Sequence, residues 1–343
     1  MDSIALTSEI AAAFARIEST LSGQAPFLSA QVSEWIRQVS PHRDPSALFT
    51  HPRMFPVLQL PLWLADTLPV RQDADFHRSL IHSSISGYFY IRLIDDVVDG
   101  DQNRPLELSC LPAAGFFSSQ FQFFYQRHFA PDHAFWHKFH ELWLASCESA
   151  ACDASLRTVS REDFERVSSR KYSAAGIPVA AVCYRCDHPE PLAPWLQFTH
   201  DFARWSQMLD DTLDWHSDRR DGRATYFLSE ADRQKRNGES PDGESIERWI
   251  ARQGHDWAFG LLEQWMDRLR ADAAKLGSPG LSAYLCQRQA WLLQQKSAMR
   301  DGFAALSQLA RILEMAQPLA ANVAPEQAGI PDGKESAQKQ VCV

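Results

Sequence analysis

Apolar residues in this 343-residue chain recur at i, i+3 and i+4 along most of its length, and over no convincing run do they alternate at i, i+2. That spacing leaves α-helices as the building block. The periodic stretches cover roughly 3–22, 27–39, 75–99, 113–129, 133–155, 160–185, 190–218, 244–276 and 279–315. Pro26, Pro41, Pro45, Pro69, Pro105, Pro112, Pro131 and Pro189 fall between them, where helices stop. Pro194 suits the first turn of its helix. Pro178, two residues after Gly176, lies inside an apolar stretch and predicts a kink or a break, either lining a pocket or simply packing. The polar run from Glu230 to Ser245 predicts a mobile loop. The expected fold is all-α: one helical bundle over 1–316 around a central cavity, with a disordered tail over 317–343.

Two acidic clusters end otherwise hydrophobic, aromatic stretches of that bundle. They are Asp95-Asp96-Val97-Val98-Asp99 and Asp210-Asp211-Thr212-Leu213-Asp214, about 115 residues apart and both of the form DDxxD. Buried carboxylates are costly unless paired or bound to metal. A helix brings i and i+4 to one face, which groups Asp95 with Asp99, and Asp210 with Asp214 and Asp218. Two facing ridges of carboxylate oxygens suit Mg²⁺, which favours carboxylates, water and phosphate oxygens. A single such cluster is usually a solvated helix end; two in apolar helical context point to metal-dependent chemistry on a diphosphate. The run from Asp99 to Asn103 resembles a calcium loop in composition but lacks the spacing and closing Glu of one.

The remaining composition excludes several classes. A net charge of −9 speaks against nucleic acid as a partner. No apolar run is long enough for a transmembrane helix, and Asp2 and Glu9 sit where a secretory signal would be basic, so a cytoplasmic protein is expected. Seven scattered cysteines suit reduced thiols, and Cys183-Tyr184-Arg185-Cys186 alone is a weak zinc or redox signal. Aromatic residues at 11% serve a dense core or an apolar pocket.

An ester of diphosphate ionises when the charge growing on its leaving group is stabilised by metal ions and by Arg or Lys donors. Candidate donors are Arg92, which precedes Asp95 by one turn, Arg170 and Lys171 before the Pro178 break, and Arg223 and Tyr226 after Asp218. Arg219 and Arg220 read as surface charges. A carbocation formed this way needs shelter from water among ring faces. Tyr88, Phe89, Tyr172, Phe198, Phe202 and Trp205 lie on the same segments and serve either that purpose or the core. Tyr88, Phe89 and Gln207 are also taken as substrate-binding candidates.

The run from Tyr88 to Asp99, Tyr-Phe-Tyr-Ile-Arg-Leu-Ile-Asp-Asp-Val-Val-Asp, resembles the first aspartate-rich motif of trans-isoprenyl enzymes, above all the squalene/phytoene synthase branch. Asp214 to Tyr226 is similar to the second motif of that branch, in which an acidic DxxxD is followed by Gly-Arg and Tyr. The resemblance spans about 80 to 228. It implies the class I isoprenoid synthase fold, a Mg²⁺ cluster of three ions, and a prenyl diphosphate substrate. Asp95, Asp96, Asp99, Asp210, Asp211, Asp214 and Asp218 become the expected metal ligands. Homodimers are frequent in this fold, so one is compatible.

Departures from the subfamilies order the functional readings. Chain-elongating enzymes carry an N-terminal Gly-Lys-x-x-Arg element and an Arg pair after the first cluster; here Gly23-Gln24-Ala25 is no substitute and only Arg104 follows. Squalene and phytoene synthases carry a Tyr-rich helix in mid-chain that Arg170 to Ala181 matches poorly. Terpene cyclases space their second motif at i, i+4, i+8, as Asp210, Asp214 and Asp218 are spaced, but seldom with three aspartates. The first expectation is a class I terpene synthase acting on one allylic prenyl diphosphate. Head-to-head condensation of two such substrates stands second. Chain elongation and prenyl diphosphate binding without turnover stand behind both.

Overall fold

The computed structural model describes residues 3–51, 53–70, 73–98, 109–236 and 246–321. Among them every regular element is a helix, as the periodicity requires. The chain forms two compact units, Met1–Leu293 and Gln294–Val343. All the side chains discussed below belong to the first.

The first unit opens with α1 (Ser3–Gln24) and α2 (Pro26–Val39), the latter started by Pro26 in its first turn. The short helices α3 (Ala47–Thr50) and α4 (Gln59–Ala65) follow. Neither had been expected, because four and seven residues are too few to express a 3.6-residue period. α5 (Ala74–Val98) carries the first acidic cluster and packs along α6 (Ala113–Gln126). A Cβ at Gly87 would lie 2.9 Å from the Phe121 ring, so the missing side chain lets these two helices approach. α7 (Phe135–Ser155) and α8 (Arg161–Lys171) pack together, and Ser160 caps α8 by accepting from the Asp163 amide at 3.1 Å.

The break predicted near Pro178 is present, slightly upstream. α8 ends at Lys171, a 3₁₀ turn spans Ser173–Gly176, and α9 (Ile177–Arg185) restarts with Pro178 in its first turn. α10 (Leu192–Leu213) packs on α8 and on α14 (His255–Leu276) and carries the second cluster. The continuous helix expected over 190–218 is interrupted at Asp214 (φ −102°, ψ 7°), after which α11 (Trp215–Arg220) resumes. The stretch 246–276 likewise divides, into α13 (Ile246–Trp249), a π turn over Ile250–Gly254 and α14.

Where a loop was expected from Glu230, the chain is helical: α12 runs Tyr226–Arg236. Its polar residues satisfy one another at helical spacing, with Glu230 accepting from Arg233 Nε (2.9 Å) and Gln234 Nε2 (2.7 Å). Residues 237–245 of that expected loop lie outside the described residues. α15 (Pro279–Ala321) carries helix through the first five residues of the expected tail; 322–343 lie outside the described residues.

Ring packing dominates the core. Phe89 is fully buried against Phe14, Trp35, Phe49 and Phe117, with centroids 5.6–6.3 Å apart. On α10, Phe198, Phe202 and Trp205 form a buried stacked row. Among the described residues no disulfide joins the six cysteines. Burial pushes the Cys183 thiol up to about 12, which disfavours the thiolate. Among the described residues no helix is long and apolar enough to cross a membrane.

Candidate active site

The last turns of α5 form one wall. Arg92 and Asp96 are one helical turn apart, and Arg92 Nε lies 3.0 Å from Asp96 Oδ1. The contact is ionic without hydrogen-bond alignment. Arg92 Nε and Asp96 Oδ2 are therefore both buried without a hydrogen-bond partner. Tyr88, two turns below, has its hydroxyl pushed up by burial and by Asp96 and Asp95, while Arg92 pulls it down. Phe89, expected at the substrate, is instead the centre of the core described above: one residue along a helix turns the side chain by about 100°. Asp99 lies outside the described residues.

α10 and α11 form the second wall. The backbone keeps its i to i−4 bonds across the break, from Asp214 N to Asp210 O (2.8 Å) and from Asp218 N to Asp214 O (3.1 Å). The expected ridge of Asp210, Asp214 and Asp218 therefore survives the interruption. Asp211 leaves it. Its Oδ1 accepts from Gln207 Nε2 at 2.8 Å and its Oδ2 from the Tyr226 amide at 3.2 Å, so this buried carboxylate anchors the first residue of α12. Asp211, expected as a metal ligand, and Gln207, expected at the substrate, are hydrogen-bonded to each other here.

Arg53, in the irregular segment between α3 and α4, reaches this ridge. Its Nε and Nη2 lie 3.2 and 3.1 Å from Asp210 Oδ1, and Nη2 also pairs with Asp214 Oδ2. Arg288 on α15 backs it up, donating from Nη2 to the Arg53 carbonyl at 2.6 Å. The Arg288 guanidinium is 1% exposed, lies 5.1 Å from the Trp205 ring and 5.4 Å from the Trp291 ring, and leaves Nε and Nη1 without hydrogen-bond partners. Neither arginine was expected. For Arg53 no spacing connects position 53 with 210. For Arg288 a signal existed: it occupies the buried stripe of Leu281, Leu285 and Leu292, where a cation is out of place.

Tyr172, in the break between α8 and α9, joins the two walls. Its hydroxyl is pushed far up by burial and then by Asp210, Asp95, Tyr88 and Asp211, so carboxylates of both clusters act on one atom. Its ring lies 4.8 Å from Phe55, which lies 5.3 Å from Phe202.

The other expected donors are placed less centrally. Arg170 is exposed. Lys171 Nζ pairs with Asp153 Oδ2 on α7 at 2.9 Å. Arg223 acts on Asp218 and donates its amide to the Asp218 carbonyl at 2.8 Å. The Tyr226 ring stacks on Phe164 at 5.0 Å, and burial pushes its hydroxyl up. Arg219 and Arg220 pair with Glu247 and Asp221 at the surface, as anticipated.

The second wall carries more negative charge than its cations balance. Burial raises Asp210 although 40% of its side chain is exposed, and Arg53 opposes the rise. Burial lifts Asp211 to about 7 and Asp218 to about 6, with neighbouring aspartates adding to both. A bound cation would reverse these shifts. The donor set of hard carboxylate oxygens, with Asp96 Oδ2 buried and unsatisfied, fits Mg²⁺. Among the described residues no three potential ligands already converge on one point. Mg²⁺ does not need that, since one or two carboxylates with water and substrate phosphates commonly hold it.

No family model and no curated protein sequence matches this chain. A solved structure described, provisionally, as a geranylgeranyl pyrophosphate synthase from Corynebacterium glutamicum matches with a TM-score of 0.58. The match covers 85% of this chain and 95% of that one at 13% identity. The chain thus has the helical fold of the isoprenoid synthases, and at this identity the likeness speaks for fold alone.

Proposed function

We propose that this protein is a Mg²⁺-dependent class I terpene synthase acting on a single allylic prenyl diphosphate. The observation that carries the reading is the pair of aspartate clusters ending α5 and α10, with Arg92 beside Asp96 on the first and Arg53 spanning Asp210 and Asp214 on the second. Two acidic walls with an aromatic floor and nearby arginines form the environment in which a diphosphate ester ionises.

Asp95 and Asp96 on one wall, and Asp210, Asp214 and Asp218 on the other, would hold the magnesium, which neutralises charge growing on the diphosphate. The allylic C–O bond breaks with its electron pair leaving on the diphosphate oxygen. Arg92, paired with Asp96 in the metal-free protein, would donate to that group from the first wall once magnesium takes that carboxylate. Arg288 donates from the second with its two unpartnered nitrogens. Phe55, Tyr172 and Phe202 keep water off the cation and offer it ring faces. Loss of a proton or capture of one water molecule then ends the reaction.

Head-to-head condensation of two prenyl diphosphates is the second reading, favoured by the division of arginines between the walls, Arg92 on one and Arg53 with Arg288 on the other. Incubation with ten-, fifteen- and twenty-carbon prenyl diphosphates supplied singly, with Mg²⁺ or EDTA, separates the two. Metal-dependent release of diphosphate with a product of unchanged carbon number supports the terpene synthase. A doubled carbon number replaces it with condensation, and absence of release from every substrate rejects both.

A further inference from the structure

Arg53 occupies the place on the second wall that a metal ion would need. Its guanidinium spans Asp210 and Asp214, the i and i+4 carboxylates of the ridge, with Nε and Nη2 on Asp210 Oδ1 and Nη2 on Asp214 Oδ2. A divalent cation bound at those two oxygens would meet the guanidinium's positive charge at contact distance, so the two compete.

The attachment of Arg53 is divided. Its backbone is fixed: Arg288 Nη2 donates to its carbonyl at 2.6 Å, its own amide donates to His51 Nδ1 at 3.1 Å, and the Tyr284 hydroxyl donates to the next carbonyl, that of Met54, at 3.2 Å. Its side chain is about one-third exposed and the carboxylates it holds are 40% and 48% exposed. Ion pairs this open to water are weak and exchange readily. The main chain is thus anchored by hydrogen bonds, while the side chain is held by its ion pairs to Asp210 and Asp214.

We propose that Arg53 is an internal counter-ion that occupies Asp210 and Asp214 in the metal-free protein and swings off them when a divalent cation binds. The inference rests on the metal-dependent reading above and adds a competition that sets the cation concentration the protein requires. With Arg53 in place, part of the negative charge of the ridge is compensated. Once a doubly charged ion takes over, the guanidinium is released beside the same site.

Calorimetric titration of Mn²⁺ into the wild type, Arg53→Gln and Arg53→Lys, without any diphosphate, tests this. Arg53→Gln removes the competing charge and is expected to bind Mn²⁺ about ten-fold more tightly than the wild type. Arg53→Lys keeps the charge without the fork that spans both carboxylates, serves as a folding control, and should bind Mn²⁺ more weakly than Arg53→Gln. Adding Asp210→Asn to Arg53→Gln should remove the gain. If Arg53→Gln binds Mn²⁺ no better than the wild type, the counter-ion role is overturned while the proposed function stands. If none of the proteins binds Mn²⁺, with or without inorganic diphosphate, the metal-dependent reading itself fails and the counter-ion role falls with it.

Discussion

Arg288 donates through Nη2 to the carbonyl oxygen of Arg53 across 2.6 Å, tying a buried cation to the segment that closes the second acidic wall. Arg288 has no carboxylate within hydrogen-bonding distance among the described residues, and burial holds its pKa below the usual arginine range. Such a group costs stability, and the proposed function gives it a diphosphate to bind.

Replacing that cation should therefore separate stability from binding. Arg288→Met loses one hydrogen bond and the guanidinium's contacts with the Trp205 and Trp291 rings but removes a buried charge, and should leave unfolding free energy within about 1 kcal/mol of the wild type. The same variant should bind inorganic diphosphate with Mg²⁺ about ten-fold more weakly. Urea unfolding in EDTA and a diphosphate titration measure the two. A loss of more than about 3 kcal/mol would make Arg288 a structural residue.

Asp211 sets a pH dependence. Its carboxyl titrates at about 7 in the folded protein, against about 4 in an unfolded chain. Between those values the native state holds the extra proton, so stability falls as pH rises from about 4 to about 7 and levels off above. Asp218, at about 6, adds a slope of the same sign. Asp211→Asn still offers an oxygen to the Tyr226 amide, and Gln207 can turn its amide to match. Urea midpoints in EDTA should fall across this range in the wild type and fall distinctly less in Asp211→Asn; equal slopes would show that Asp211 is already ionised.

Gly87 controls how closely α5 lies on α6. A valine there would drive its Cβ to 2.9 Å from the Phe121 ring. Gly87→Val should cost about 1–3 kcal/mol by overpacking and, because Asp95 and Asp96 lie two turns further along α5, weaken metal-dependent diphosphate binding as well. A thermal melt and a diphosphate titration check the pair of effects; loss of stability with binding intact would uncouple the acidic wall from this contact.

Much of the site was legible in the sequence because it depends on local periodicity. The i, i+4 relation of Asp210, Asp214 and Asp218, the helix under Asp95 and Asp96, and the break before Pro178 all follow from spacing alone. What escaped depends on tertiary contacts. Whether Asp210 or Asp211 faces the opposite wall is decided by the Tyr226 amide, fifteen residues away, and whether Tyr88 or Phe89 faces the core by Trp35 and Phe117. Lys171 was drawn off by Asp153 on a neighbouring helix. Arg53 meets Asp210 across 157 positions, which no local pattern encodes.

Binding of inorganic diphosphate by calorimetry, with Mg²⁺ and with EDTA, in the wild type, Asp95→Asn and Asp210→Asn, asks whether the two walls serve one site. The wild type should bind in Mg²⁺ and lose binding in EDTA, and each substitution alone should weaken binding by at least about ten-fold. Wild-type affinity in either variant would contradict the account, because the two acidic clusters would then not share a metal–diphosphate complex.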